Sequence, residues 1–468
     1  MSIPRREVAR MNLRMVTMRH LPVLACALAL AALSGVAWRF TVDDAFIAVR
    51  YAQRLASGLG YTYSGGYASD GVTGPLWLLP LVGGARLGLP VAALAKAVSC
   101  AASVVAACWM VARASRSARG RWAAWWVAGL SASSLPFAVW SVAGLETGLA
   151  ALLVSWLVVA AIDRCELGVP IALLAWLRPE LALFAGVLLL WRGRARSWLL
   201  AGAGVLALFA FRAVLFGHLL PMTLSAKPAL LWNGVVYLGA ALREPRGLLL
   251  ALLLALSIAR GGRVTRMLAL AIAAHALAVV LAGGDWMPAR RLFVPIVPAL
   301  AFVIARGLRG WRYAPAALAF VVALGVREQI VELPAIREAG ARRERLQDEL
   351  ARAVCRPGTI ALIDVGLIGV LCPQQEILDL GGLTTPAVAY APGGHLDKRI
   401  DEAWLHAQRA TLVLHSRERP RMDEQGRLRW FAGYPVERRA LSFARSLRVH
   451  EVFAYGPAYF YVVLEPPR

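Results

Sequence analysis

Read as runs of apolar residues bounded by polar ones, the chain falls into two parts. Up to residue 326, long apolar stretches recur near 20–38, 91–112, 122–140, 147–163, 197–216, 246–259, 266–282, 292–305 and 313–326. Several approach or exceed the roughly 18 residues that carry a helix across a bilayer, and the pattern predicts a membrane helix for each. Two further stretches read differently. Residues 75–89 predict a juxtamembrane or re-entrant helix, and 168–191, interrupted by Leu177-Arg178-Pro179-Glu180, predict two half-helices meeting within the membrane. From residue 327 the apolar runs shorten. A charged amphipathic helix over 328–354 precedes short strands at 359–364, 376–380 and 411–415, with a helix near 397–409. Strands separated by a helix predict a small α/β domain. The predicted fold class is a polytopic α-helical membrane protein of about 9–11 transmembrane or re-entrant helices. Its membrane domain covers 1–326 with an external loop at 39–74, and a C-terminal α/β extracytoplasmic domain covers 327–468.

Charge sharpens that division. The 468 residues are 59% hydrophobic and carry a net charge of +23, too apolar for an ordinary soluble fold. A basic chain invites a nucleic-acid reading, but here the cations form short Arg clusters between apolar helices, which is how membrane proteins set their orientation. The reading is therefore membrane lipid and no nucleic acid. Residues 1–326 hold 31 Lys/Arg against 10 Asp/Glu, whereas 327–468 hold 20 against 18. Placing the clusters at 5–19, 113–121, 192–196, 260–266 and 306–312 in the cytoplasm makes the first helix an uncleaved anchor with its N-terminus inside. An odd number of spans then puts 327–468 outside. Cys355 and Cys372 are the only cysteines there; an oxidising compartment lets them pair, and the alternative is two buried thiols.

The same arithmetic collects rare polar residues on the outer face. Asp43 and Asp44 follow the first membrane helix directly and suit a general base with a hydroxyl or metal anchor, although an Asp pair can also simply cap the helix at 45–57. Glu146 lies in an outer turn, Lys227 in the loop after residue 216, and Asp285, Arg290 and Arg291 in the loop after residue 282. Each has a plain structural reading as cap, turn former or interfacial cation. Acids that activate a hydroxyl and cations that hold a phosphate on one side of a membrane together suggest a site.

The run DDAFIAVRYAQRLASGLGYTYSGGYASDGVTGPLW from Asp43 to Trp77 resembles the first external loop of polyprenyl-phosphate-dependent GT-C glycosyltransferases. The segments AGLETG, LRPE, FGHLLPMTLSAK, GGDWMPARRLFVPIVP and LDLGGLTTP are similar to that family in the same order, most closely to cell-wall enzymes that add terminal β-arabinofuranose. The resemblance spans nearly the whole chain. It implies a glycosyltransferase of the bacterial inner membrane that moves a sugar, arabinofuranose by likeness, from a decaprenyl- or undecaprenyl-phosphate donor to an envelope glycan, lipid or protein acceptor. It implicates Asp43 first and Asp44 second as catalytic base, and Lys227, Arg290 and Arg291 at the donor phosphate. Glu146, Arg178, Glu180, His218, Asp285, Thr73 and Trp77 become substrate-contact candidates. Departures stand at Gly71-Val72-Thr73-Gly74, His218 and Met222, where the family usually has other residues, so the sugar itself does not follow. A divalent cation, Mg or Ca, could bridge Asp44 and the phosphate, though the sequence offers no dedicated oxygen cage. A lipid or lipid-linked sugar flippase, using Arg178 and Glu180 as a pathway, is the alternative function.

Overall fold

A computed structural model describes residues 5–116, 120–422, 428–429, 433–443, 448–456 and 459–465. It is mostly helical, with a small C-terminal sheet. Among the described residues, four helical segments are long and apolar enough to cross a membrane: His20–Ala37, Val91–Ser115, Ala195–Phe216 and Arg263–Leu281. They mark a membrane protein.

Thr147–Asp163 and Pro245–Arg260 are single helices over the stretches expected at 147–163 and 246–259, while other apolar stretches are divided or joined. The stretch at 122–140 is two helices, Gly120–Ala132 and Leu135–Ser141. Ser134 caps the second, its hydroxyl accepting from the Phe137 amide, and Pro136 occupies the first turn. The stretch at 292–305 starts as a 3-10 segment, Arg291–Ile296, and turns α-helical only at Val297–Gly307. Residues 168–191 break where expected: Gly168–Leu177 and Ala182–Arg192 are joined by a 3-10 turn at Pro179–Leu181, because Pro179 has no amide to continue the ladder. Residues 75–89 form only a 3-10 turn and the short helix Leu78–Arg86. The stretch at 313–326 and the amphipathic helix after it are one helix, Ala314–Val354. Leu231–Arg243 adds a helix that periodicity did not reveal.

The chain forms two compact units. The first unit holds residues 1–40, 96–206 and 230–337; the second holds 41–95, 207–229 and 338–468. The C-terminal domain thus shares its unit with the loop that follows the first membrane helix. In the first unit close approach depends on small residues: the Gly148 amide donates to Ser99 Oγ at 3.1 Å, and a Cβ on Gly148 would collide with the Ser99 carbonyl.

The second unit is built on a five-stranded mixed sheet of order β2-β1-β3-β7-β6, where β1 is Thr359–Leu362, β2 Glu376–Asp379, β3 Thr411–Ser416, β6 Arg448–Gly456 and β7 Tyr459–Glu465. β4 (Arg421–Met422) and β5 (Leu428–Arg429) pair separately. β1 runs parallel to β2 and β3, while β7 runs antiparallel to β3 and β6. The middle strands are buried along nearly their whole length, as strands covered on both faces must be. Leu378, Val388, Leu412, Leu414, Val462 and Leu464 form the core beside them. Cys355 and Cys372 are joined as a disulfide with Cα atoms 5.2 Å apart.

Candidate functional site

Asp43 and Asp44 open the helix Asp43–Ala56, and the structure separates their roles. Asp43 is buried. Its carboxylate accepts from the amides of Gly366 at 2.7 Å and Leu367 at 3.0 Å and from the Gln347 amide group at 3.2 Å. Two turns further on, Arg50 donates to the carbonyls of Gly369, of Cys372 at 3.2 Å and of Gln375 at 2.9 Å. One helix therefore holds both ends of another, Val365–Leu371: a carboxylate sits at its positive end and a guanidinium at its negative end. Gly366 permits the approach, since a Cβ there would strike the Asp43 backbone. Burial raises the Asp43 carboxyl to about 6, against the lowering pull of Arg343 and the two amides. Asp44, its neighbour, is half-buried and no described side chain or amide bonds to its carboxylate.

Behind Asp43 lies a charged chain that the sequence did not disclose. Arg343 stands 3.8 Å from Asp43 and 3.9 Å from Asp364. Asp364 accepts from the Tyr461 hydroxyl at 2.5 Å and faces His415 Nε2 at 3.5 Å. His415 Nδ1 donates to Glu437 at 2.6 Å, and the same carboxylate accepts the His415 amide at 2.9 Å. The rings of Tyr434, Tyr459 and Tyr461 surround the imidazole. Burial works against the imidazolium, yet Glu437 and Asp364 raise His415 to about 10. Asp364 is held well below the usual carboxylate range: burial opposes its charge, but His415, Arg343 and Tyr461 outweigh it.

Elsewhere in the second unit, Asp70 and Arg212 form a buried ion pair at 3.0 Å, and Arg212 also donates to the Thr73 carbonyl at 2.8 Å. Thr73 Oγ1 bonds Thr223 Oγ1 at 3.0 Å, Trp77 is fully buried in the core, and His218 is half-buried, stacked on Phe216. Lys227 is half-buried with no carboxylate partner among the described residues. Asp379 serves its own turn: its carboxylate accepts the amides of Gly381, Gly382 and Thr384 at 2.7, 3.1 and 2.9 Å, so that the glycine-rich segment folds around it.

In the first unit, the broken helix places Arg178 between Glu146 at 2.6 Å and Glu180 at 2.8 Å, with Thr147 Oγ1 at 3.2 Å. Asp285 pairs with Arg291 at 2.7 Å, and Arg290 with Glu244 at 3.0 Å. Ala289 and Arg290 adopt left-handed backbone angles, φ 54° and 49°, which side-chain-bearing residues adopt only when the surroundings impose them. The Arg290 guanidinium lies over the Tyr237 ring and reaches an apolar groove of about 290 Å³. Leu242, Leu250, Phe293 and Leu300 line the groove, and its charged lining residues are Glu244, Arg246, Arg290 and Glu328.

The candidates thus gather in two sets: Glu146, Arg178 and Glu180 contact one another in the first unit, where Asp285 pairs with Arg291 and Arg290 meets the groove; Asp43, Asp44, Thr73, Trp77, His218 and Lys227 belong to the second. Sequence reasoning missed Asp70, Arg212, Arg246, Arg343, Asp364 as an ionic group, His415 and Glu437. Arg212 carried a signal, a lone cation inside an apolar helix. The rest lie in polar or mixed surroundings that pattern does not single out. Among the described residues no group of three His, Cys, Asp or Glu side chains gathers as a metal site. Compared with known proteins, the chain matches no family model and no curated protein.

Proposed function

We propose that this chain is a GT-C type glycosyltransferase that takes a sugar from a polyprenyl-phosphate donor on the outer face of a bacterial inner membrane and passes it to a hydroxyl of an envelope glycan, lipid or protein. Arabinofuranose is the sugar the sequence resemblance favours. The N-terminus is cytoplasmic, and residues 39–74 and the C-terminal domain are outside. The basic clusters support this sidedness, as does the Cys355–Cys372 disulfide, a bond that persists in oxidising compartments.

The observation that carries the proposal is the contrast within the acid pair. Asp43 is occupied as a clamp, whereas Asp44 stands open beside it. Asp44 therefore takes the proton of the acceptor hydroxyl. The acceptor oxygen bonds to the anomeric carbon, the bond from that carbon to the phosphate oxygen breaks, and the electron pair leaves with the lipid phosphate. Cations stabilise that leaving charge. Lys227, in the same unit as Asp44, is suited to this because no carboxylate among the described residues neutralises it. Within the first unit by itself, the apolar groove with Arg290 and Arg246 along it is of a kind that suits an apolar chain with an anionic end.

The test is incubation of purified protein with polyprenyl-phosphate sugars and an envelope-glycan extract, with donor and product followed by mass spectrometry. Asp44→Asn is expected to abolish donor consumption at an unchanged melting temperature, and Asp43→Asn to lower the melting temperature. Full turnover by Asp44→Asn would remove the proposed base. Translocation of a lipid-linked sugar that survives this substitution would establish the flippase reading instead.

A further inference from the structure

A second charged region of the first unit lies apart from the outward-assigned residues. Trp122, Trp126, Trp311 and Arg309 line a cavity of about 500 Å³ at the ends of Gly120–Ala132 and Val297–Gly307 and the start of Ala314–Val354. Arg306 and Arg113 both lie within electrostatic reach of Arg309, and Arg113 of Arg306. Arg113 and Arg116 share a single carboxylate, Asp163, at 2.5 and 3.8 Å. Arg306 and Arg309 have no ion pair or hydrogen bond to any described residue. Orientation by positive charge requires arginines on one side of the membrane; it does not require an arginine in a cavity wall with two further guanidiniums within electrostatic reach of it. Crowded like charges repel unless an anion offsets them.

We propose that this cavity binds the phosphate headgroup of an anionic phospholipid of the cytoplasmic leaflet. Arg309, the arginine that lines the cavity, holds the phosphodiester oxygens, a geometry the planar guanidinium suits, and Arg306 adds positive charge beside it. The walls favour a lipid as the source of that phosphate. Trp122 in the wall is 74% exposed, and Tyr313, two residues beyond the lining Trp311, is 52% exposed, at the ends of apolar helices, where amphipathic rings sit at the headgroup level and acyl chains can lie against them. Basic pockets between membrane helices on the cytoplasmic side hold acidic lipid headgroups by the same physics. This inference rests on the membrane reading and on the sidedness proposed above, and not on the proposed transferase activity.

The experiment uses full-length protein in a neutral detergent with phosphatidylglycerol, phosphatidylcholine or inorganic phosphate added. Binding is read by native mass spectrometry and by the shift in melting temperature. Phosphatidylglycerol is expected to remain bound and to raise the melting temperature, while phosphatidylcholine and inorganic phosphate do neither. The double variant Arg306→Gln/Arg309→Gln should bind phosphatidylglycerol roughly tenfold more weakly or less. Trp122→Ala, at an exposed position that leaves the core intact, should weaken lipid binding without lowering the melting temperature of the lipid-free protein. Equal affinity for both lipids, or undiminished binding in both the double variant and Trp122→Ala, would overturn the proposal. A shift of the same size with inorganic phosphate would overturn the lipid as its source.

Discussion

Each compact unit buries one cation between two carboxylates, and the choice of cation separates them. Arg178 stands between Glu146 and Glu180 at 2.6 and 2.8 Å, and His415 between Glu437 and Asp364 at 2.6 and 3.5 Å. A guanidinium stays charged at every accessible pH, so the Arg178 cluster is a fixed joint across the broken helix. An imidazole can lose its proton, so the His415 cluster holds only while its carboxylates keep it charged. Both join segments that sequence distance separates. Only one can respond to pH.

The largest effect expected from breaking this comparison is at Arg178. Arg178→Ala leaves Glu146 and Glu180 buried without their cation, at a cost of about 3–5 kcal/mol, read as a fall in melting temperature in detergent. Next comes the covalent tie of the second unit. The disulfide closes a sequence separation of 17, worth about 3 kcal/mol, so Cys355→Ser/Cys372→Ser should lower stability by that order and abolish the response to reductant.

His415 provides the sharper test. Its pKa is raised from 6.5 to about 10, so its contribution is complete below pH 6.5 and fades as pH rises through 10. Amide exchange in β3 and β7 should accelerate over that interval. His415→Gln should cost about 2–3 kcal/mol at neutral pH and flatten the dependence. The depressed pKa of Asp364 acts at the other end: its contribution is present above 3.8 and is lost as pH falls below it. The Arg178 region should show no loss over the alkaline interval, and if it weakened in parallel with β3, the distinction between the two clusters would fail. The smallest effect is expected from Gly366→Ala, which forces the Asp43 clamp apart and should cost about 1–3 kcal/mol without altering the alkaline response.

Much of the fold was legible in the pattern. Four of the nine apolar runs marked described helices long and apolar enough to cross a membrane, Pro179 marked the break after Leu177, and the three strands read as β1, β2 and β3 lie within a residue or two of their places. The paired strands β6 and β7 were missed, although Tyr459–Glu465 is a nearly continuous apolar run, and so was the helix Leu231–Arg243. Length misled at 122–140, where Ser134 and Pro136 start a new helix inside one apolar stretch. The candidate site was legible as a set of residue types, but their partners were not.

The sequence by itself determined what can be read from neighbours along the chain: which segments are apolar enough for lipid, where proline ends a helix, and which two cysteines stand in the C-terminal region. Tertiary structure alone decided which of two adjacent carboxylates is occupied. Asp43 and Arg50 lie seven positions apart on one helix face, and they meet the two ends of Val365–Leu371 more than three hundred residues later. Nothing local distinguishes Asp43 from Asp44. The difference arises because a helix turns successive side chains about 100° apart, so only one of the pair can face the amides that the distant segment presents.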